Sequence, residues 1–174
     1  METYNERPML GFWEAVKICF NKYFDFKGRA RRSEYWWFVL FQILVSIPCV
    51  ILDGILESVA GITFANTIAS LVFLFPALTV SFRRLHDIGR SGWWIGVSYI
   101  LMAIGIIALI ATVGMSHVDL TNDEAIVRSL LSVKSLGAWL PIIASVVICF
   151  IVFIFSLLDS HKEENKYGPS PKYQ

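Results

Sequence analysis

Charged residues are absent from four long segments of this 174-residue chain. Asp, Glu, Lys and Arg do not occur in residues 35–52, 58–82, 91–118 or 135–158. A helix needs about 20 mostly apolar residues to cross the roughly 30 Å hydrocarbon core of a bilayer, and each segment comes close to that length or exceeds it. The composition, 56% hydrophobic and 17% charged, is also too apolar for an ordinary soluble domain. The sequence therefore predicts an all-α membrane protein in which four transmembrane helices form a bundle.

Positive charges predict how these spans are oriented, because Lys and Arg are enriched in the short cytoplasmic loops of membrane proteins. Seven precede the first span, none follows it, three separate spans 2 and 3, two lie in the next connection, and three lie in the tail. We therefore expect a multi-pass membrane protein with both termini in the cytoplasm. Four tryptophans beside the basic clusters are expected to anchor the spans at the interface: Trp36, Trp37, Trp93 and Trp94.

This orientation divides the chain into three regions. Residues 1–34 are expected to form a cytoplasmic amino-terminal segment, residues 35–158 the transmembrane domain, and residues 159–174 a cytoplasmic tail. The spans are placed at about residues 35–56, 61–82, 93–114 and 137–158. In the polar connection between spans 3 and 4, a short helix is expected over residues 123–132.

An amphipathic helix is predicted before the first span, over residues 9–26. Aromatic and apolar residues recur there at helical spacing, and polar residues fall on the opposite side. Such a helix can lie along the inner leaflet with its aromatic side in the headgroup region. The alternative is that it packs against a soluble partner.

Three strings of residues carry a family resemblance. Residues 28–37 read GRARRSEYWW, residues 83–94 read RRLHDIGRSGWW, and residues 165–169 read NKYGP. They closely resemble motifs of the domain of unknown function 805 family of small bacterial inner-membrane proteins, and the resemblance extends from about residue 11 to residue 171. It implies an integral inner-membrane protein of a few helices and supplies no catalytic residues.

Candidate anion-binding residues lie at the cytoplasmic starts of two spans. The first set is Arg83, Arg84, Arg90, Ser91 and Gly92, and the second is Arg31, Arg32 and Ser33. A helix N-terminus beside arginine binds anions readily, so a phospholipid phosphate is the expected ligand. The simpler interpretation is that the arginines only orient the spans while the serines cap the helices.

His86 and Asp87 have the residue types of an acid–base pair. Adjacent residues on a helix do not share a face, however, and no nucleophile or third ligand accompanies them. We expect no catalytic site, no metal site and no cofactor. The pair is interpreted as a structural hydrogen bond that fixes the short loop, alone or with an arginine.

The sequence therefore favours a non-enzymatic membrane protein whose basic face binds anionic lipid headgroups or a protein partner. A small oligomeric transporter or channel subunit for a neutral solute is the alternative, since the span interiors contain polar residues but no charges. An enzyme that acts on lipid headgroups at His86 and Asp87 is the third hypothesis. Anionic membrane lipids and further copies of the chain are the expected partners, and nucleic acid is not.

Overall fold

A computed structural model describes residues 5–115, 124, 127, 131 and 136–173 of the protein, except the side chains of residues 113–115. Helices account for the regular structure in this part of the chain. Five helices are present in these ranges: α1 Phe12–Asn21, α2 Arg32–Ala60, α3 Ala65–Asp87, α4 Trp93–Met115 and α5 Leu136–Leu157. The same ranges contain two isolated β-bridges and no strand. The predicted all-α class is therefore confirmed, while the helix expected over residues 123–132 falls largely outside the described residues.

Four of the five helices are long and apolar enough to cross a membrane: α2, α3, Trp93–Thr112 of α4, and α5. Their most apolar windows have a mean hydropathy between 1.7 and 2.9. A helix satisfies its backbone hydrogen bonds internally, as a hydrocarbon environment requires. The prediction of four membrane-length helices is confirmed.

The chain divides into two compact units. The first comprises Met1–Gly92 and Phe155–Gln174, and the second comprises Trp93–Ile154. The carboxy-terminal tail thus belongs with the amino-terminal half of the chain. The arrangement of the four spans in one bundle stays a prediction.

In the first unit, α1 packs against both α2 and α3. Its buried side chains are Ala15, Val16 and Cys19. Cys19 joins Phe38 of α2 and Val80 of α3 in the buried core. Burial, with a smaller effect from the nearby Glu34 carboxylate, raises the pKa of the Cys19 thiol to about 12. This thiol is therefore protonated and unreactive at neutral pH.

α1 is shorter than the amphipathic stretch predicted over residues 9–26, since Gly11 precedes it and Lys22 follows its last residue. Aromatic rings from all three helices surround the core. The ring centroid of Phe20 lies 5.9 Å from that of Phe38 and 6.2 Å from that of Phe73. Edge-to-face pairs of this kind stabilise a core beyond the area that they bury. The location of α1 at a membrane interface stays a prediction.

The turn between α2 and α3 is fixed by a carboxylate and a glycine. Gly61 ends α2 in the left-handed region, with φ 65°. Asp53 accepts hydrogen bonds from the backbone N–H groups of Phe64, Ala65 and Asn66, at 2.7–2.9 Å. Three donors that α3 itself cannot satisfy are thereby paired. This turn holds α2 and α3 antiparallel, so that the start of α2 meets the end of α3.

In the second unit, α4 and α5 contact each other through small and polar residues. The Ser98 hydroxyl lies 3.2 Å from the Ser145 hydroxyl and 2.9 Å from the Cys149 sulfur. A Cβ atom at Gly105 would lie only 2.3 Å from Ile142 Cγ1. Small residues that allow close approach, together with hydroxyl hydrogen bonds, are the usual means by which membrane helices associate.

Candidate functional site

The first unit buries three arginines and two carboxylates where α2 begins and α3 ends. They are Arg29, Arg83, Arg84, Glu34 and Asp87, here called the arginine cluster. Each side chain is almost completely removed from solvent. Buried charges are tolerated only when they are paired and hydrogen-bonded. Each arginine of the cluster is paired with a carboxylate, and two of the three ion pairs join residues distant in sequence.

Arg83 joins the two helices directly. Its Nη1 donates to Glu34 Oε1 at 2.5 Å, and its carbonyl accepts from the backbone N–H of Ala30 at 2.9 Å. Its Nε and Nη2 atoms are buried and have no hydrogen-bond partner among the described residues. Arg83 is therefore a structural cation inside the unit.

Asp87 is shared by the other two arginines. Its Oδ1 accepts from Arg29 Nε at 2.9 Å, and its Oδ2 accepts from Arg84 Nη1 at 2.5 Å. Charge-assisted bonds of this kind are about twice as strong as bonds between neutral groups. One carboxylate at the end of α3 thus orients both guanidinium groups.

Further donors of these two arginines bind backbone carbonyls at the end of α5 and in the tail. Arg29 donates to the carbonyls of His161 at 2.6 Å, Glu163 at 2.9 Å and Gly168 at 3.2 Å. Arg84 donates to the carbonyls of Ser156, at 3.3 Å, and Leu158. The tail is therefore held against α2 and α3 by its backbone, although its composition resembles that of an unfolded segment.

His86 and Asp87 do not form the hydrogen-bonded pair that was predicted. The His86 ring stacks on Tyr167 with centroids 3.8 Å apart, and its Nδ1 lies 3.2 Å from the Gly28 carbonyl. The His86 carbonyl accepts from Asn165 Nδ2 at 2.9 Å. Successive residues of a helix point in different directions, so His86 contacts the tail while Asp87 contacts the arginines. Both residues structure this end of the unit, but with separate partners.

The predicted anion-binding residues occupy different environments. Arg83 and Arg84 are 0% and 1% exposed and bind protein groups. Arg90 is exposed and lies over the Phe155 ring at 5.4 Å, and Gly92 is buried against Phe82. Buried cations with internal partners are poorly placed for an external phosphate. Anion binding by the first candidate set, which includes Arg90, Ser91 and Gly92, stays a prediction.

At the start of α2 the three candidates are close together. Arg31 is buried and donates to the carbonyls of Pro8 at 2.7 Å and Pro171 at 2.5 Å. Burial, followed by the charge of Arg7, lowers the pKa of Arg31. Arg32 is exposed and Ser33 is half-buried. Of this set, Arg32 therefore has the guanidinium group most accessible from outside.

An apolar groove runs along α2 from this point. Its volume is about 420 Å³, and its lining is apolar except at the end formed by Arg32 and Ser33. The groove, as the term is used below, is lined by Met9, Arg32, Ser33, Trp36, Trp37 and Leu40. Trp37 is fixed by a 2.9 Å hydrogen bond from Nε1 to the Leu10 carbonyl. Of the other expected anchors, Trp93 is 67% exposed and Trp94 is 38% exposed.

The two ends of the chain meet beside the groove. Glu6 pairs with Tyr173 in an antiparallel bridge, and the backbone N–H of Arg7 donates to the Lys172 carbonyl at 2.9 Å. Lys172 Nζ lies 2.8 Å from Asp159 Oδ2. The hydrogen bond from Lys172 lowers the pKa of the Asp159 carboxyl, so this ion pair persists at neutral pH and is lost only as pH falls below the usual Asp range.

Sequence reasoning missed four members of this arrangement: Arg29, Glu34, Asn165 and Tyr167. All four lie within the three motif strings of residues 28–37, 83–94 and 165–169. The signal was the specificity of those strings, and the structure brings residues 28–37, 83–92 and 165–169 together in the first unit. Among the described residues, no group of three or more His, Cys, Asp or Glu side chains is placed to hold a metal ion.

Comparisons with known proteins agree with the motifs. A family model described as "Protein of unknown function (DUF805)" matches residues 23–169. The inner membrane protein YhaH of Escherichia coli (strain K12) is 41% identical over 81 residues, which are 45% of this chain and 66% of YhaH. The inner membrane protein YhaI of the same organism is 38% identical over 72 residues, 41% of this chain and 59% of YhaI. The chain thus spans slightly less than two thirds of these relatives. No solved structure matches it significantly.

The shared carboxylate gives a direct test of the arginine cluster. Asp87→Asn leaves Arg29 and Arg84 buried without a counter-charge, and loss of one partner of a buried ion pair costs about 3–5 kcal/mol. We expect a large fall in the unfolding midpoint in detergent micelles. The matched control is Asp25→Asn, because Asp25 is exposed. Equal stability of the two variants would show that the Asp87 ion pairs do not hold this end of the unit together.

Proposed function

This chain belongs to the DUF805 family of proteins of unknown function, and from that premise we propose that it is a non-enzymatic inner-membrane protein that binds an anionic lipid at the start of α2. The observation that carries the proposal is the groove, which is apolar along its length and ends at an exposed arginine. An amphipathic ligand needs an apolar surface for its hydrocarbon part and a cation for its anionic part. A membrane lipid supplies both an acyl chain and a charged headgroup.

The proposed location is the inner membrane, with both termini and the loop between α3 and α4 in the cytoplasm. The names of YhaH and YhaI support the membrane, and the alternating distribution of Lys and Arg supports the orientation. The proposal also places α1 along the inner leaflet. Trp13 and Phe24, which are 65% and 66% exposed, would then reach the headgroup region.

The direction of the groove fits a lipid in this orientation. Arg32 is the first residue of α2, and Leu40 lies about 12 Å further along the helix at 1.5 Å per residue. A headgroup at Arg32 would therefore lie at the membrane surface, while the acyl chain would pass Trp36 and Leu40 toward the hydrocarbon core. A ligand that followed the groove would not have to leave the bilayer.

Arg32 is suited to a phosphate because its guanidinium group is exposed and is not bonded to a carboxylate. Its side chain makes no hydrogen bond or ion pair with the described part of the chain, and it is exposed. The arginines of the arginine cluster differ in this respect, since Glu34 and Asp87 already pair with them. A juxtamembrane arginine contributes roughly 1 kcal/mol toward an anionic lipid surface.

The same contacts argue against the two competing functions. An enzyme at His86 and Asp87 would need accessible acid–base groups, whereas Asp87 is buried between two arginines and His86 is stacked on Tyr167. A solute pathway between α4 and α5 would need available polar groups, whereas Ser98 and Ser145 are bonded to each other. No feature specifically favours either alternative.

Lipid retention tests the proposal. Arg32→Gln removes the accessible charge and leaves a shorter, polar side chain in its place. We expect it to reduce retention of an anionic phospholipid about fivefold, the equivalent of the roughly 1 kcal/mol per surface arginine. The measurement is native mass spectrometry of protein released from nanodiscs that contain equal amounts of phosphatidylglycerol and phosphatidylcholine.

Two controls make this result specific. Lys17→Gln removes an exposed cation from α1, outside the groove, and should retain lipid like the parent. Arg90→Gln removes the exposed cation of the other predicted set. If Arg90→Gln loses the lipid while Arg32→Gln retains it, the site lies at the loop between α3 and α4, and the groove is not the binding site.

The orientation can be measured separately with reporter fusions. A fluorescent protein fused after residue 174 should fluoresce, because that end is proposed to be cytoplasmic. Alkaline phosphatase fused at Asp123 should be active, because the connection between the last two spans is proposed to be periplasmic. Active phosphatase at residue 174 would refute the arrangement and would place the groove entrance at the outer leaflet.

A further inference from the structure

The amino-terminal residues 5–10, here called the strap, supply one wall of the groove. Every other described residue of the groove lining belongs to α2, which begins at Arg32, whereas the strap contributes Met9. The groove is therefore one face of a helix closed by a side chain from a separate segment. Without the strap, this face of α2 would keep its apolar surface and its arginine but would have no opposite wall. The groove thus depends on the position of the strap.

Two hydrogen bonds hold Met9 beside α2. Arg31 Nη1 donates to the Pro8 carbonyl at 2.7 Å, and Trp37 Nε1 donates to the Leu10 carbonyl at 2.9 Å. The residues before and after Met9 are thus bonded to side chains at the start of α2. Met9 itself is 81% exposed, so it borders the groove without being packed in the core.

The tail holds the other end of the strap. The backbone N–H of Arg7 donates to the Lys172 carbonyl at 2.9 Å, and Glu6 lies opposite Tyr173 in an antiparallel bridge. Lys172 Nζ also lies 3.6 Å from Glu6 Oε1. The tail is in turn fixed by the arginine cluster, through the three carbonyls that accept from Arg29. The tail is therefore the fixed half of this contact, and the strap is the half that can move.

The strap is attached weakly compared with the rest of the first unit. Residues 5–9 are all exposed, so their side chains do not join the core. A polar cavity of about 240 Å³ lies between the strap, the start of α2 and the tail. The Glu6 carboxylate of the ion pair with Lys172 is 62% exposed, and such ion pairs stabilise little. Segments with few buried contacts and exposed backbone hydrogen bonds are the first to open in a folded protein.

We propose that the strap is a gate for the groove: docked on the tail, it closes the groove over a bound lipid, and detached from the tail, it lets the lipid enter or leave. This inference rests on the proposed function and concerns the regulation of the same site. Opening requires movement only of residues 5–10. Because α1 begins after Gly11 and buries Ala15, Val16 and Cys19, it can stay packed while the strap moves.

A disulfide between the strap and the tail tests the gate, because one protein can then be compared in a locked and an unlocked form. Directly opposite residues of an antiparallel pair have Cβ atoms about 4.5–5.5 Å apart, close to the spacing of a disulfide. The variant is Glu6→Cys with Tyr173→Cys. It is loaded with deuterated phosphatidylglycerol in detergent micelles while reduced, and half of the sample is then oxidised.

Native mass spectrometry follows the replacement of the deuterated lipid by unlabelled phosphatidylglycerol. We expect exchange to be about tenfold slower, or slower still, in the oxidised form, because a disulfide stabilises the joined state more than a partly exposed ion pair does. Equal or faster exchange in the oxidised form would overturn the proposal. So would failure of the two cysteines to cross-link in a variant that unfolds at the same temperature as the parent.

Two controls accompany this comparison. Glu6→Cys alone, given the same oxidant, cannot form the disulfide between strap and tail and should keep its exchange rate. The substitution at Tyr173 is present in both the oxidised and the reduced form, so it cannot account for a difference between them.

A backbone variant opens the strap without added cysteines. Arg7→Pro removes the N–H group that donates to the Lys172 carbonyl. Arg7→Gln is the matched control, because it removes the same charge and keeps the N–H group. We expect Arg7→Pro to exchange lipid about fivefold faster than Arg7→Gln, as the loss of one hydrogen bond implies. Equal rates in this pair would show that the contact between strap and tail does not control the groove.

The outcomes separate the gate from the function on which it rests. If the parent retains phosphatidylglycerol but the oxidised and reduced forms exchange it at equal rates, the groove binds lipid and the strap does not control it. If the parent retains no more phosphatidylglycerol than phosphatidylcholine, the proposed function itself is contradicted.

Discussion

The Asp87 carboxylate is the group on which the rest of the first unit depends. It lies at the end of α3, completely buried, and pairs with Arg29 from the segment before α2 and Arg84 from its own helix. Two guanidinium groups could not be buried here without a counter-charge, because desolvation of each ion costs several kcal/mol. Once Asp87 orients them, their other N–H groups point at backbone carbonyls of residues 158–168. A polar tail with little apolar surface is thereby folded onto a membrane domain.

This arrangement separates the arginines by role. Those of the arginine cluster are compensated by carboxylates and hold α2, α3 and the tail together. Arg32, the first residue of α2, is exposed and forms no ion pair with the described part of the chain. The tail that the arginine cluster fixes places Asp159 and Lys172 beside Arg32, in the lining of a polar cavity of about 240 Å³. A structural network and a proposed binding site are therefore adjacent but made of different side chains.

The sequence predicted the helices well because each helix depends on the composition of one continuous stretch of residues. A charge-free segment about 20 residues long is the pattern of a membrane-spanning helix, and α2, α3, α4 and α5 each overlap one of the four segments. It did not predict the pairing of Arg83 with Glu34 or of Asp87 with Arg29, since these residues are 49 and 58 positions apart. They meet only after α2 and α3 lie antiparallel. An arginine beside a span looks the same in sequence whether it faces lipid or a buried carboxylate, which is why Arg83 and Arg84 were grouped with Arg90.

The central claim is that buried arginines, rather than apolar contacts, hold the tail against α2 and α3. Hydrogen–deuterium exchange on Arg29→Gln in nanodiscs tests it most directly, because Arg29 bonds three tail carbonyls and does not line the cavity. The account predicts faster exchange of amides in residues 160–173 of the variant, such as Gly168 N–H, which donates to the Asn165 carbonyl at 2.8 Å. Amides of α5 within the second unit should exchange as in the parent. Unchanged protection of the tail in Arg29→Gln would contradict the account.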